Sequence, residues 1–192
     1  KRQQQIYPEL QIYILTGDFD TLQLVDKNTK VYTLGKGIKE TVVYDEEKVI
    51  EKFGILAKQM VDFKALAGDQ SDNIPGATGI GKKTAVDLLK KYGNLEKLYK
   101  KLSKEIEIKP RIKEILLTQK EQVFFSKVLA TAREDAPVDF KIKKCKFGEF
   151  DSKNLEESLK KYGFYSLIKR IPELKDKNIA DVFKEDNNGK LF

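Results

Sequence analysis

Between Ala67 and Ala85 the chain reads Ala67-Gly68-Asp69-Gln70-Ser71-Asp72-Asn73-Ile74-Pro75-Gly76-Ala77-Thr78-Gly79-Ile80-Gly81-Lys82-Lys83-Thr84-Ala85. No regular helix or strand can run through it. Asn73-Ile74-Pro75-Gly76 is turn chemistry, with a proline that lacks an N–H and a glycine that admits unusual backbone angles. On one side Met60, Phe63, Leu66 and Ala67 recur at helical spacing. On the other, Lys82 to Tyr92 reads as an amphipathic helix with Ala85, Leu88, Leu89 and Tyr92 inward. The stretch is therefore a hairpin between two helices. It carries two chemistries: Asp69 and Asp72 offer paired carboxylates, and Gly79-Ile80-Gly81 opens a lysine-bearing helix in a way that suits a phosphate.

Composition narrows what those groups can do. The 192 residues suffice for one compact domain, or one with an appendage. The formal charge of +7 favours polyanionic partners. With no His, Ser-His-Asp and Cys-His nucleophile pairs and the usual zinc ligands are excluded. The single Cys145 forms no internal disulfide, which fits a reducing cytosol. Any metal here must take oxygen ligands, so Mg²⁺ or Mn²⁺ is expected. No apolar run reaches the roughly 20 residues of a membrane span, and none reads as a signal peptide.

In chain order, Gln11–Leu15 reads as a strand buried on both faces, ending at Thr16-Gly17-Asp18-Phe19-Asp20. Ligands collect at the C-terminal ends of strands in parallel α/β sheets, although a polar turn would equally place acids there. Thr21–Val25 suits a short helix. Lys30–Leu34 and Glu40–Tyr44 suit strands, joined through a turn at Gly35-Lys36-Gly37. Asp45 is the expected cap of a helix with Val49, Ile50 and Phe53 inward, ended by Gly54. Beyond residue 67 helices follow almost throughout. Asn94 caps one bearing Leu95, Leu98, Tyr99 and Leu102, and Lys109-Pro110 starts another bearing Ile112, Ile115 and Leu116. Glu121–Ala132 is expected to turn Phe125, Val128, Leu129 and Ala132 inward. Pro137–Phe140 is extended, Leu155, Leu159 and Tyr162 mark a last clear helix, and residues 163–168 close the fold. The lysines beyond the hairpin (Lys90, Lys91, Lys97, Lys100, Lys101, Lys104) mostly occupy solvent faces. The organisation expected is α/β over residues 1–67, helical over 68–172, and a charged tail over 173–192.

Four acids can now be considered together: Asp18 and Asp20 past a strand end, Asp69 and Asp72 in the loop. Clustered carboxylates repel one another unless cations neutralise them. Two divalent ions about 4 Å apart would do so, and would activate water against a phosphodiester. Asp72 suits a turn cap as well as a ligand. Gly76 to Lys83 nearly spells a nucleotide-binding P-loop, but Lys83 stands where a hydroxyl is required and no strand precedes it. A hairpin presenting free N–H groups, with Lys82 and Lys83 beside it, holds backbone phosphates rather than base edges. A plain glycine turn between packed helices is the structural alternative.

Thr16–Leu24, Lys64–Gly76 and Gly79–Ala85 together closely resemble the 5′ nuclease domain of bacterial DNA polymerases I, in the flap endonuclease family. The likeness continues through Leu88–Glu96, Lys120–Gln122 and Tyr162–Ile168, covering roughly residues 12 to 172. The resemblance implies a PIN-like α/β core with a parallel sheet, incomplete here, followed by a helix–hairpin–helix region. It implies removal of flaps and RNA primers from 5′ ends in the bacterial cytoplasm, by a monomer fused to or working with a polymerase. By matching positions, Asp18, Asp20, Asp69 and Asp72 resemble the catalytic metal ligands for two Mg²⁺ or Mn²⁺ ions. Gly79, Ile80 and Gly81, with Lys82, Lys83 and Thr84, resemble the grip on duplex DNA, where this family often binds K⁺.

The family's domain begins with a strand carrying a catalytic Asp, followed by further acids and an arch over the 5′ end. The chain starts at Lys1 without Met and is expected to be the C-terminal part of such a domain, holding half the ligands and inactive or very weak alone. Its sheet would then leave an edge and an apolar face poorly covered. The competing function is a helix–hairpin–helix module that holds duplex DNA and does no chemistry. That reading leaves both aspartate pairs unexplained.

Overall fold

The computed structural model describes residues 2–34, 41–103, 107–142, 145 and 151–171. The turn expected at Gly35–Gly37 and the tail 173–192 lie outside them. The chain divides into two compact units, Lys1–Asp135 and Ala136–Phe192.

The first unit opens with a short helix, α1 (Arg2–Ile6), where only a polar lead-in was expected. Strands β1 (Ile12–Leu15), β2 (Thr29–Leu34) and β3 (Thr41–Tyr44) form a sheet in that order. β1 and β2 are parallel, as expected, but β2 and β3 are antiparallel. The few residues between β2 and β3 suffice for a hairpin and not for the crossover a parallel pair requires. β1 also departs from its expected two-sided burial, since Tyr13 and Leu15 are exposed. Only alternate residues of this edge strand meet the core, and Ile14 packs there.

Helices α2 (Glu46–Phe53), α3 (Met60–Ala67), α4 (Lys82–Tyr92), α5 (Leu95–Leu102), α6 (Pro110–Thr118) and α7 (Lys120–Ala130) complete the unit. Their ends follow local chemistry. The Asp45 carboxylate accepts the Lys48 N–H and the Asn94 side chain accepts that of Lys97, while Gly54 closes α2 at φ 73°. One apolar core runs from Leu22, Val31 and Val49 through Leu66 and Leu89 to Leu98, Leu116 and Val123. Lys90, Lys91, Lys97, Lys100 and Lys101 are exposed as expected, and Lys104 lies outside the described residues.

α7 is turned differently from its apolar pattern. Phe125, Val128 and Leu129 are exposed, while Val123, Ser126 and Ala130 are buried; the helix ends before Ala132. Val123 and Phe124 pack on the core from this face, and polar contacts fasten it there. The Lys127 ammonium lies 2.7 Å from the buried Asp62 carboxylate of α3 and 2.7 Å from Glu96 of α5. Asp62 also accepts the Leu95 N–H at 3.2 Å, fastening the start of α5.

Lys127→Met is therefore expected to cost about 3 kcal/mol at pH 7, because it leaves Asp62 charged, buried and unpaired. The pH dependence has a definite sign. The hydrogen bond from Lys127 holds Glu96 below its ordinary 4.5, so its contribution is present above that value and fades as pH falls through the lower folded one. Burial would lower the Lys127 pKa, but Asp62 and Glu96 raise it above 10.5, so its contribution fades only as pH rises through the higher folded value. Thermal unfolding of both proteins across pH should give a gap that is widest in between; a gap independent of pH would refute the ion-pair account.

The second unit contains α8 (Ser152–Lys161), capped by the Asp151 carboxylate on the Lys153 and Asn154 N–H groups, and α9 (Tyr165–Ile168). No helix among the described residues is long and apolar enough to cross a membrane.

Candidate metal centre and nucleic-acid interface

The chain leaves β1 through a set of local bonds. Thr16 Oγ1 accepts the Asp18 N–H at 3.0 Å, Asp18 Oδ1 accepts the Asp20 N–H at 2.8 Å, and Thr21 donates its hydroxyl to the Asp18 carbonyl at 2.7 Å. These build a 3₁₀ turn over Phe19–Leu24, capped by Asp18. Phe19 anchors it, packing edge-on against Tyr44 and Phe53 with the Lys52 ammonium 4.4 Å above its ring. Gln23 donates to the Ala130 carbonyl and accepts the Ala132 N–H, tying the turn to the end of α7.

The second aspartate pair sits on a closed loop after α3. Asp69 and Ile74 exchange both backbone hydrogen bonds, at 2.9 and 2.8 Å. Asn73, between them, is left-handed at φ 54°, a conformation asparagine tolerates better than most residues. Gly68 and Gly76 cross so closely that a Cβ on Gly76 would lie 2.2 Å from the Gly68 nitrogen.

Three of the four expected aspartates converge. Asp20, Asp69 and Asp72 each place a carboxylate oxygen within 4.8 Å of the others. Asp18 stands apart from this group, with one oxygen committed to the Asp20 N–H. At the centre of the three is the buried Lys64 of α3, whose ammonium pairs with Asp20 and lies 2.6 Å from Asp69 and 3.7 Å from Asp72. Burial alone would push the Asp69 carboxyl up. Hydrogen bonds from Lys64 and Ser71 outweigh it and hold this carboxyl below its usual range. A cation fits the position: the ammonium occupies it, and an all-carboxylate donor set suits a hard divalent ion.

The same backbone leads into the expected phosphate grip. Gly79 takes φ 97°, and Gly81, in extended conformation, is the N-cap of α4 with no side-chain cap on the first-turn N–H groups. Gly79, Gly81, Lys82 and Lys83 are exposed, and Thr84 is half-buried. Ile80 is buried and its N–H is spent on the Ala77 carbonyl at 2.9 Å, so it anchors the hairpin from inside.

Reasoning from sequence missed Lys64, Gln119, Gln122 and Ser126. Lys64 had a signal. Met60-Val61-Asp62-Phe63-Lys64-Ala65-Leu66-Ala67 is apolar but for two charges, and a helix with no polar face must bury and pair them. The two glutamines and the serine carry no local signal, since their partners lie more than 40 residues away.

A family described as 5′-3′ exonuclease, C-terminal SAM fold matches residues 55–153. DNA polymerase I of Caldicellulosiruptor bescii is 46% identical over 164 residues, covering 84% of this chain and 19% of that protein. The Bacillus subtilis DNA polymerase I is 37% identical over 180 residues, covering 94% and 20%. The chain thus spans about a fifth of the length of these relatives. Among solved structures, the bacteriophage T5 5′-exonuclease with bound zinc is similar over 62% of this chain and 42% of its own, with TM-score 0.55 and 21% identity. The catalytic core of Rad2 in complex with DNA is similar over 77% and 50%, with TM-score 0.50 and 24% identity. These likenesses establish a shared fold, an α/β core joined to a helical region.

Proposed function

Because the chain belongs to the 5′-3′ exonuclease, C-terminal SAM fold family, we propose that it serves a structure-specific 5′ nuclease, holding divalent metal and duplex DNA for hydrolysis of phosphodiesters during primer removal and repair. One observation carries the reading: Asp20, Asp69 and Asp72 surround the Lys64 ammonium, and the loop bearing Asp69 and Asp72 continues directly into an exposed glycine hairpin.

In this reading Asp20, Asp69 and Asp72 hold Mg²⁺ or Mn²⁺ as a pair of ions together with Asp18, one of whose oxygens fixes Asp20 by accepting its N–H. Bound metal would supply an activated water and stabilise the leaving oxygen. The chain's own residues do the rest. Lys64 keeps the carboxylates together without metal, and Ser71 fixes Asp69 through its N–H at 3.0 Å and its hydroxyl at 2.6 Å. The open first turn of α4, with Lys82, Lys83 and Thr84, takes successive phosphates of the duplex, and K⁺ at the hairpin belongs to the same proposal. The partners are duplex DNA with a 5′ flap or end, and a polymerase joined to or acting beside this unit in the bacterial cytoplasm. The active species is a monomer.

The test combines a Mn²⁺ titration with duplex binding measured against salt. Asp69→Asn/Asp72→Asn is expected to weaken Mn²⁺ by about tenfold or more, in line with losing two charged ligands. Lys82→Ala and Lys83→Ala should each reduce the slope of log K against log salt by about 1. Any hydrolysis of a 5′-flap duplex in Mg²⁺ should vanish in Asp69→Asn. Unchanged Mn²⁺ affinity in the double variant, or cleavage without metal, overturns the reading.

A further inference from the structure

Where the carboxylate loop becomes the hairpin, Ala77 is held by backbone bonds to Leu66 and Ile80, but Gly76 and Thr78 on either side of it are held by side chains from a distant part of the chain. The Thr78 N–H donates to Gln119 Oε1 at 2.7 Å, and the Gln119 amide donates back to the Thr78 carbonyl at 3.0 Å. The Gln122 amide donates to the Gly76 carbonyl at 2.6 Å, and the Gly76 N–H donates to Ser126 Oγ at 3.1 Å. Both polar groups of both residues are thus filled. Residues 119, 122 and 126 are spaced three and four apart, so one row of side chains along the start of α7 does it all. Each amide has one orientation that satisfies its contacts, since N–H groups need oxygens and carbonyls need nitrogens.

Two further facts show that this row is more than incidental packing. Thr78 is exposed, where water would satisfy its backbone without a long side chain being immobilised there. In addition, α7 leaves Phe125, Val128 and Leu129 exposed while burying Ser126 completely. The face that holds Ser126 also buries Val123 and Ala130, so Ser126 sits completely buried within an otherwise apolar contact.

We propose that Gln119, Gln122 and Ser126 are positioning residues for the phosphate grip. They lock Gly76 and Thr78 so that the hairpin stands in one register relative to Asp69 and Asp72. The inference rests on the proposed function, which supplies the ligand. Gly76 is the hinge point because it crosses Gly68 on one side, next to Asp69, and leads to Gly79 and Gly81 on the other. α6 supports the arrangement, with Ile115 Cδ1 lying 2.9 Å from where a Gly79 Cβ would be.

The experiment compares the wild-type chain with Gln119→Met and Gln119→Met/Gln122→Met, which keep side-chain length and lose the hydrogen bonds. Three readouts are used: amide exchange by NMR, affinity for a fluorescein-labelled duplex with a 5′ single strand, and Mn²⁺ affinity. Exchange at Thr78 and Ile80 is expected to quicken, and duplex affinity to fall about tenfold as the grip loses its preorganisation. Mn²⁺ affinity should stay within about twofold, because the ligands are untouched. A role in folding stability alone would not produce that split. Gln119→Glu keeps the acceptor for the Thr78 N–H and loses only the donor to its carbonyl. It carries the exchange measurement should the double variant fail to fold, with quicker exchange at Ile80 expected and wild-type exchange overturning the proposal. Duplex binding by the variants equal to wild type overturns the register claim alone. Absence of salt-dependent duplex binding by the wild-type chain overturns the functional reading as well.

Discussion

Gly76→Ala is expected to destabilise the protein by about 4 kcal/mol and to abolish Mn²⁺ and duplex binding together, the strain and overpacking contributions being additive here. Two physical costs coincide at this residue. Its φ of 62° lies in the left-handed region that a Cβ penalises. The added methyl would also lie 2.2 Å from the Gly68 nitrogen and 2.6 Å from its Cα. Those are backbone atoms, so no rotamer change relieves the clash, and the two strands of the loop must separate. Separation removes Asp69 from its partners and releases the hairpin in one step. For a chain of this size the corresponding fall in Tm is roughly 10 °C. Gly81→Ala provides the contrast: an added Cβ meets nothing within 4 Å and φ is −88°, so only a weaker N-cap is lost, about 0.5 kcal/mol. Thermal unfolding of both variants by circular dichroism checks the pair. A Gly76→Ala protein within about 1 kcal/mol of wild type would show that the crossing is not tight.

Much of the site was legible because it is local. The Asn-Ile-Pro-Gly turn, the glycines flanking Ile80 and the Asp45 and Asn94 caps depend on neighbouring residues, and each stands where its chemistry requires. The convergence of Asp20 with Asp69 and Asp72 was suggested by the strand-end position of one pair and the loop position of the other and sharpened by family resemblance, since nothing in spacing brings residues 49 apart together. Asp18 was read as a ligand beside Asp20, and one of its two oxygens also caps the turn by accepting the Asp20 N–H. α7 was misread for a physical reason. Phe125, Val128 and Leu129 form the more conspicuous apolar row, but Val123, Phe124 and Ala130 pack inward, on a face fastened by bonds from Ser126, Gln122 and Lys127 to Gly76, Asp62 and Glu96. Likewise the sheet's antiparallel pair followed from loop length, which was available in the sequence, rather than from strand composition, which was silent on direction.

Lys64→Met should convert a self-neutralised site into one that depends on added metal. Without the ammonium, Asp20, Asp69 and Asp72 remain within 4.8 Å of one another with no internal cation. In EDTA at pH 7 the variant is expected to lose about 3 kcal/mol, the order found when one partner of a buried ion pair is removed. The loss is recoverable. In wild type an incoming divalent ion must displace the Lys64 ammonium, whereas in the variant it relieves bare repulsion, so Mn²⁺ should bind the variant more tightly. Stabilisation by a ligand at about 100 times its Kd is roughly 2.7 kcal/mol, enough to restore most of the deficit. The pH dependence separates this account from a simple packing defect. In wild type, Lys64 and Ser71 hold the Asp69 carboxyl below 3.8, so its contribution persists above that value and disappears as pH falls through the lower folded one. In the variant, crowded carboxylates take up protons more readily when folded than when unfolded, so its stability rises as pH falls. The gap between the two proteins should therefore be largest at neutral pH and should narrow below about pH 5. A cavity left by a missing side chain would give the same gap at every pH and no selective rescue by Mn²⁺. Equal stability in EDTA, or equal Mn²⁺ stabilisation of both proteins, would mean that Lys64 is not the cation these carboxylates are built around.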